Sequence, residues 1–93
     1  MAVAALRAGV CLGFVYNGRR RLAEVHAVGV NTQGHAAMST FQVEGDSGSG
    51  PIPDWRSFRL DACSEAALSD VPSRAPRPDF RPGHGFRRID AQV

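Results

Sequence analysis

Asn17-Gly18 sits between two stretches of alternating apolar residues, and nothing else in the chain constrains its fold as much. Both residues tolerate positive φ, so the pair sets a tight turn whose twist suits two antiparallel strands. Before it, Val10, Leu12, Phe14 and Tyr16 alternate with Cys11, Gly13 and Val15. Strand side chains point to opposite faces with period two, so this reads as a strand buried on one face and partly on the other. After it, a second strand runs from Arg19 to about Val30. Its apolar phase shifts, with Leu22 even, Val25 odd, and Val28 and Val30 even again. Such shifts mark β-bulges, which bend a strand as small barrels require.

The rest of the chain continues the pattern. Residues 2 to 8 favour a short helix by propensity, and Gly9 stops it. Asn31-Thr32-Gln33-Gly34 is a second turn, followed by a strand from His35 to Glu44. Ala37, Ser39, Phe41 and Val43 share one face of it, and Met38, Thr40 and Gln42 the other. A loop rich in glycine and proline, 45–53, leads to a fourth strand from Trp55 to Cys63. There Phe58, Leu60 and Ala62 form a core row, while Trp55, Ser57, Arg59 and Asp61 face away. Arg56 has the parity of the core row. A buried guanidinium is costly unless paired, so Arg56 is expected at a rim, beside a carboxylate or a ligand. Ser64 to Leu68 reads as one helical turn or as irregular chain. Residues 72 to 85 hold Pro72, Pro76, Pro78 and Pro82 and should wrap the surface in extended form, with Phe80 and Phe86 as anchors. The end, 86–93, alternates as a fifth strand.

Five short strands in a chain of 93 residues make one domain with one modest core. In so small a chain the stable answers are a highly bent sheet closing on itself or a small sandwich, and closure removes exposed sheet edges. The expected fold is therefore all-β: a small five-stranded barrel with a short N-terminal helix and an extended Pro-rich C-terminal segment. The net charge of +2 is too small for a general claim of nucleic-acid binding. All eleven basic residues are arginines, which offer planar, bidentate recognition of phosphate and carboxylate. Cys11 and Cys63 lack metal-ligand spacing and read as buried apolar groups in a reducing cell. The apolar run ending at Tyr16 is followed by Asn17-Gly18 and three arginines, not a cleavage site, so it reads as a strand and not a secretory signal. No segment approaches the ~20 apolar residues of a membrane span. A cytoplasmic protein without membrane contact is expected.

Gly45-Asp46-Ser47-Gly48-Ser49-Gly50-Pro51 has a superficial likeness to a serine-protease nucleophile segment, with His26 as base. That chemistry needs base, carboxylate and oxyanion hole held rigidly together, and a far longer chain, so the likeness is rejected. His26, His35 and His84 do not fall at metal-ligand spacing with the cysteines. Glu24 shares a strand face with His26 and could orient it. No enzymatic constellation, metal site or cofactor is expected. Arg19-Arg20-Arg21 is a real basic cluster, although such a run is more often a solvated hairpin. As an anion site it would be completed by Arg56 and Arg59, with Trp55 or Tyr16 as a stacking surface. Arginines interleaved with aromatics are how small barrels hold nucleotides and single strands.

The order Tyr16-Asn17-Gly18-Arg19-Arg20-Arg21, Glu24-Val25-His26, Gly34, Phe41-Gln42-Val43 and Trp55-Arg56-x-Phe58-Arg59-Leu60-Asp61 resembles the WYL-domain family, especially its short stand-alone bacterial members. The resemblance spans residues 5 to 93. It implies a small Sm-like β-barrel of the kind that acts as a ligand sensor in bacterial transcription regulation, in some members by binding single-stranded DNA or nucleotides. It carries ligand contact onto Arg56 and Arg59, and more loosely onto Tyr16 and Arg20. The namesake tripeptide is replaced by Ala36-Ala37-Met38, and Val25 stands where many members have proline. The residues before Val10 are too few for a helix-turn-helix. The resulting expectation is a non-enzymatic module for an anionic ligand, a nucleotide or short single-stranded nucleic acid, with Arg56, Arg59, Arg20, Arg21, Tyr16 and Trp55 as ligand contacts. The alternative is a protein-interaction module that pairs through a sheet edge or the Trp55 face, as in a homodimer.

Overall fold

The computed structural model describes residues 1–45 and 50–93. Helix α1 (Ala2–Ala8) ends where expected: Gly9 takes the left-handed conformation at φ 70°, and its N–H reaches the Ala5 and Leu6 carbonyl oxygens. Strands β1 (Val10–Tyr16) and β2 (Arg19–Asn31) meet at Asn17 (φ 53°) and Gly18 (φ 72°), with Tyr16 opposite Arg19. Two successive positive φ angles are the turn geometry that the Asn-Gly pair favours. A Cβ on Gly18 would touch nothing, so only backbone strain opposes it. Gly18→Ala is expected to cost about 1 kcal/mol in denaturant unfolding, with the m-value unchanged.

The remaining elements are β3 (Ala36–Gly45), β4 (Asp54–Arg59), a 3₁₀ turn at Leu60–Ala62, β5 (Cys63–Pro72) and β6 (Phe86–Gln92). The antiparallel sheet has six strands, in the order β4-β3-β2-β1-β5, with β6 also paired to β2. β2 organises it. β3 occupies one edge of β2 from Arg21 to Val30. The other edge is divided: β1 takes Arg19 to Ala23, and β6 takes Ala27 to Asn31. Register shifts between Leu22 and Ala23 and between Val25 and Ala27 are the bulges that the phase changes of β2 predicted. At Gly29 the β6 backbone comes so close that a Cβ would collide with the Arg88 carbonyl oxygen.

Three expectations about the sheet need correction. Among the described residues there are six strands, not five, because residues 63–72 form β5 in place of a helical turn or irregular chain. β1 has a second edge whose N–H and C=O groups need partners, and that demand outweighs the helical propensity of Ala66-Ala67-Leu68. The strand is irregular for it, with Glu65 at φ 51° and two register shifts against β1. The fourth strand ends at Arg59, and Leu60–Ala62 turns away, so Leu60 is only half-buried and Ala62 is exposed. Finally, the sheet is not closed into a barrel: β4 and β5 end the hydrogen-bonded path.

The core gathers Ala2 and Ala5 of α1 with Leu12, Phe14, Ala23, Val25, Val28, Met38 and Phe58. Phe58 meets Phe14 and Tyr16 edge-on, each at 4.9 Å between centroids. β2 is buried on both faces from Ala23 to Gly29. The second face is covered by the Pro-rich segment 73–85 through Arg74, Arg77 and Phe80, and the segment is tied at its start by Ser73 N–H to the Gly9 carbonyl oxygen. It is not extended as its composition suggested: turns at 78–79 and 82–85, closed by Phe80 N–H to Arg77 and His84 N–H to Arg81 carbonyl oxygens, fold it back on itself, because proline with glycine favours turns as readily as extended chain. Among the described residues, no helix is long and apolar enough to cross a membrane.

Candidate functional site

The face of β2 under this strap carries two buried polar side chains, Glu24 at 2 % exposure and His26 at 0 %. Both are satisfied. The Glu24 carboxylate accepts from Arg77 Nε at 2.7 Å, Arg77 Nη2 at 3.1 Å and the Arg74 backbone N–H at 2.9 Å. The His26 Nε2 atom accepts the Arg77 backbone N–H at 3.1 Å, and its Nδ1 lies 3.0 Å from the Glu24 carbonyl oxygen. A carbonyl can only accept, so the proton sits on Nδ1 and the ring is neutral. Burial holds the His26 pKa below its ordinary 6.5, against the opposing pull of Glu24. Burial also resists ionisation of Glu24, but the Arg77 and Arg74 hydrogen bonds outweigh it and leave that carboxyl below its ordinary 4.5.

Beside this clamp lies an aromatic group built around Trp55, the sole tryptophan. Trp55 meets His26 at 4.7 Å and Phe41 at 5.4 Å, and stacks on Phe80 of the strap at 6.1 Å. The Arg77 guanidinium lies 4.3 Å from the Phe41 ring centroid. The indole N–H donates to Asp79 Oδ2 at 2.7 Å, which fixes the plane of the ring. Between strap and sheet opens a cleft of about 540 Å³. Trp55 and Phe80 give it apolar walls, Arg56 and Arg81 positive charge, and Ser39 and Ser57, opposite each other in the β3–β4 pair, hydroxyls. Arg56 Nη2 donates to the Pro51 carbonyl oxygen at 3.1 Å, which positions its guanidinium. Arg81 has no carboxylate partner among the described residues. A recess of about 260 Å³ adjoins, sharing Ser57, His84 and Gly85 with the cleft.

Of the six sequence-predicted contacts, Trp55 and Arg56 line this cleft, and the other four do not. Arg20 is exposed and reaches Glu65 at 3.4 Å. Arg59 is bound through two nitrogens to Asp61, at 3.2 and 2.8 Å, an i,i+2 pair across the end of β4. Arg21 is buried and lies 5.4 and 5.3 Å from the Tyr16 and Phe58 ring centroids, donating to Gln42 and to the Tyr16 carbonyl oxygen. It caps the core, and Tyr16 packs with it. Arg81, His84 and Asp79 had no signal of their own in the sequence, since they fall inside the Pro-rich stretch.

Among the described residues, no group of three or more His, Cys, Asp or Glu is placed to hold a metal ion. Both cysteines are free thiols. Burial, reinforced by Glu24, pushes the Cys11 pKa up to about 11, and burial raises that of Cys63. Neither is an activated nucleophile. Ser47 of the rejected protease-like segment lies outside the described residues. Comparison of the chain with family models, curated proteins and solved structures finds no match.

Proposed function

We propose that this chain is a non-enzymatic binding module whose ligand is a nucleotide or a similar small phosphate ester, held in the cleft between Trp55, Arg56 and Arg81. The observation that carries the reading is the convergence of an indole wall, two guanidinium groups and two serine hydroxyls on one cavity. The volume of about 540 Å³ falls in the ~300–1,000 Å³ range of small-molecule sites. Guanidinium forks suit phosphate oxygens, and an aromatic face takes a planar base. Asp79 on the same lining favours a ligand that offers a hydroxyl or amino donor beside its anion. A longer single strand would need a basic track, and here Arg20, Arg59, Arg77 and Arg88 are each matched by a carboxylate. The WYL-type, Sm-like reading of the fold draws on a short helix leading into bulged antiparallel strands and on Trp55-Arg56 at the cleft; a role in bacterial transcription regulation in the cytoplasm is proposed from the sequence resemblance alone. A closed barrel would add pairing between β4 and β5.

Titrating adenosine monophosphate against the emission of Trp55 tests this. A saturable response that weakens with salt is expected. Arg56→Ala with Arg81→Ala should weaken it at least tenfold, since each hydrogen bond to a charged group is worth about 1.5–3 kcal/mol. Arg88→Ala, outside the cleft lining and paired with Asp90, should leave it unchanged. Absence of saturation at low salt, or equal loss from Arg88→Ala, rejects the site. If a mass that rises with concentration accompanies that failure, the free edges of β4 and β5 become the functional surface.

A further inference from the structure

One wall of the cleft is not part of the sheet. Phe80, Arg81 and His84 belong to the strap, and the strap is fastened to β2 through Glu24 and His26. The imidazole has both nitrogens committed, one as donor and one as acceptor. A second proton on Nε2 would set two N–H groups head to head across 3.1 Å, at a ring with 0 % exposure. That costs the hydrogen bond and buries a charge together.

We infer that protonation of His26 loosens the 74–80 stretch on the sheet, so that the ligand cleft is held firmly at neutral pH and opens more often in mild acid. The consequence for ligand rests on the binding function proposed above; the loosening itself does not. The surroundings of His26 bear on whether it holds. On its own strand, the Glu24 carboxylate favours the imidazolium but is already engaged by Arg77 and the Arg74 N–H. From the strap, the Arg77 charge opposes it and Asp79, held by Trp55, favours it. From β3 and β4 come the uncharged rings of Phe41 and Trp55. From β1, Cys11 stays a neutral thiol, and after β6 the Val93 N–H donates to the His26 backbone carbonyl oxygen. Burial tips the balance toward the neutral ring.

The sign follows. The docked strap needs neutral His26, whereas the released ring takes its proton with the ordinary pKa of 6.5. Docking is therefore undiminished above that pH and weakens as pH falls below it, by up to about tenfold per unit, until the docked ring itself protonates. Glu24 adds nothing to this window. Its carboxyl is held below 4.5, so its contribution persists until the solution is more acidic still.

Nuclear magnetic resonance of the unmodified chain without ligand tests the loosening directly. Between pH 7.5 and 5, the protection of the Arg77 amide against hydrogen exchange, corrected for the intrinsic rate, should fall at least tenfold. Its midpoint should coincide with the titration of the His26 ring. The emission of Trp55 should change in step. His26→Gln keeps a neutral donor and acceptor and should abolish the step. Constant Arg77 protection down to pH 5, or the same loss in His26→Gln, overturns the inference. Affinity for adenosine monophosphate should fall along the same curve, and by more than in His26→Gln, whose decline measures protonation of the ligand's own phosphate (pKa ~6). A chain that shows the Arg77 transition yet never binds the nucleotide sinks the ligand assignment and keeps the loosening.

Discussion

Glu24→Ala is expected to lower the stability of the fold by about 3 kcal/mol, the lower end of what breaking a buried ion pair costs. The lower end applies because Arg77, with its side chain 25 % exposed, can swing toward water once its partner is gone. The Arg74 N–H cannot relocate as easily, since it belongs to the backbone of the strap. In a chain of this size that loss corresponds to a melting temperature lower by roughly 12–24 °C. Calorimetry at pH 7 measures it. The pH dependence supplies a second check. Glu24 contributes stability that is present above its ordinary pKa of 4.5 and is lost as the pH falls through its depressed folded value. The variant should lack that part of the acid transition. A loss below 1 kcal/mol would mean that the carboxylate is not what holds the strap.

Gly29→Ala should do comparable damage by a different route. The added methyl group would meet the Arg88 carbonyl oxygen and lie 3.0 Å from the Ile89 Cα. These are backbone atoms of the neighbouring strand, so no side-chain rotation can make room. Overpacking costs about 1–3 kcal/mol where a core can adjust, and here adjustment means sliding or detaching β6. A cost of about 3 kcal/mol is expected, with the Arg88 and Ile89 amides losing exchange protection while β1 and the first half of β2 keep theirs. Undiminished protection in β6 would show that the strand can shift to fit the methyl group.

Local chemistry made much of this fold legible. Gly9 and Asn17-Gly18 sit where a left-handed residue is needed, and each carries that requirement in its own side chain or lack of one. The bulges of β2 show in the sequence because a register shift moves apolar residues to the other face. β5 was not legible, since nothing in Ala66-Ala67-Leu68 reports that β1 has an unfilled edge. Its strand character is imposed from outside. The candidate site divides in the same way. Trp55 and Arg56 could be read because they stand next to each other on an alternating strand. Arg59 and Arg20 looked equivalent to them, but a carboxylate within reach, Asp61 for one and Glu65 for the other, occupies each. The Glu24–Arg77 pair joins residues 53 positions apart, a distance over which no periodicity connects them. Phe80 was foreseen as an anchor because a large apolar side chain in a polar, proline-rich stretch has few other uses. That its platform is the indole of Trp55, which also lines the cleft, is a pairing across the fold that no local pattern announces.

The divided edge of β2 sets an order of events. Its upstream half is filled through the tight turn at Asn17-Gly18, so β1 can zip onto it at small entropic cost. Its downstream half is filled by β6, whose pairing closes a far longer loop and so carries the larger entropic cost. Until it arrives, a short row of unsatisfied amides and carbonyls stands open on an otherwise assembled molecule, and any extended segment of another polypeptide can compete for it.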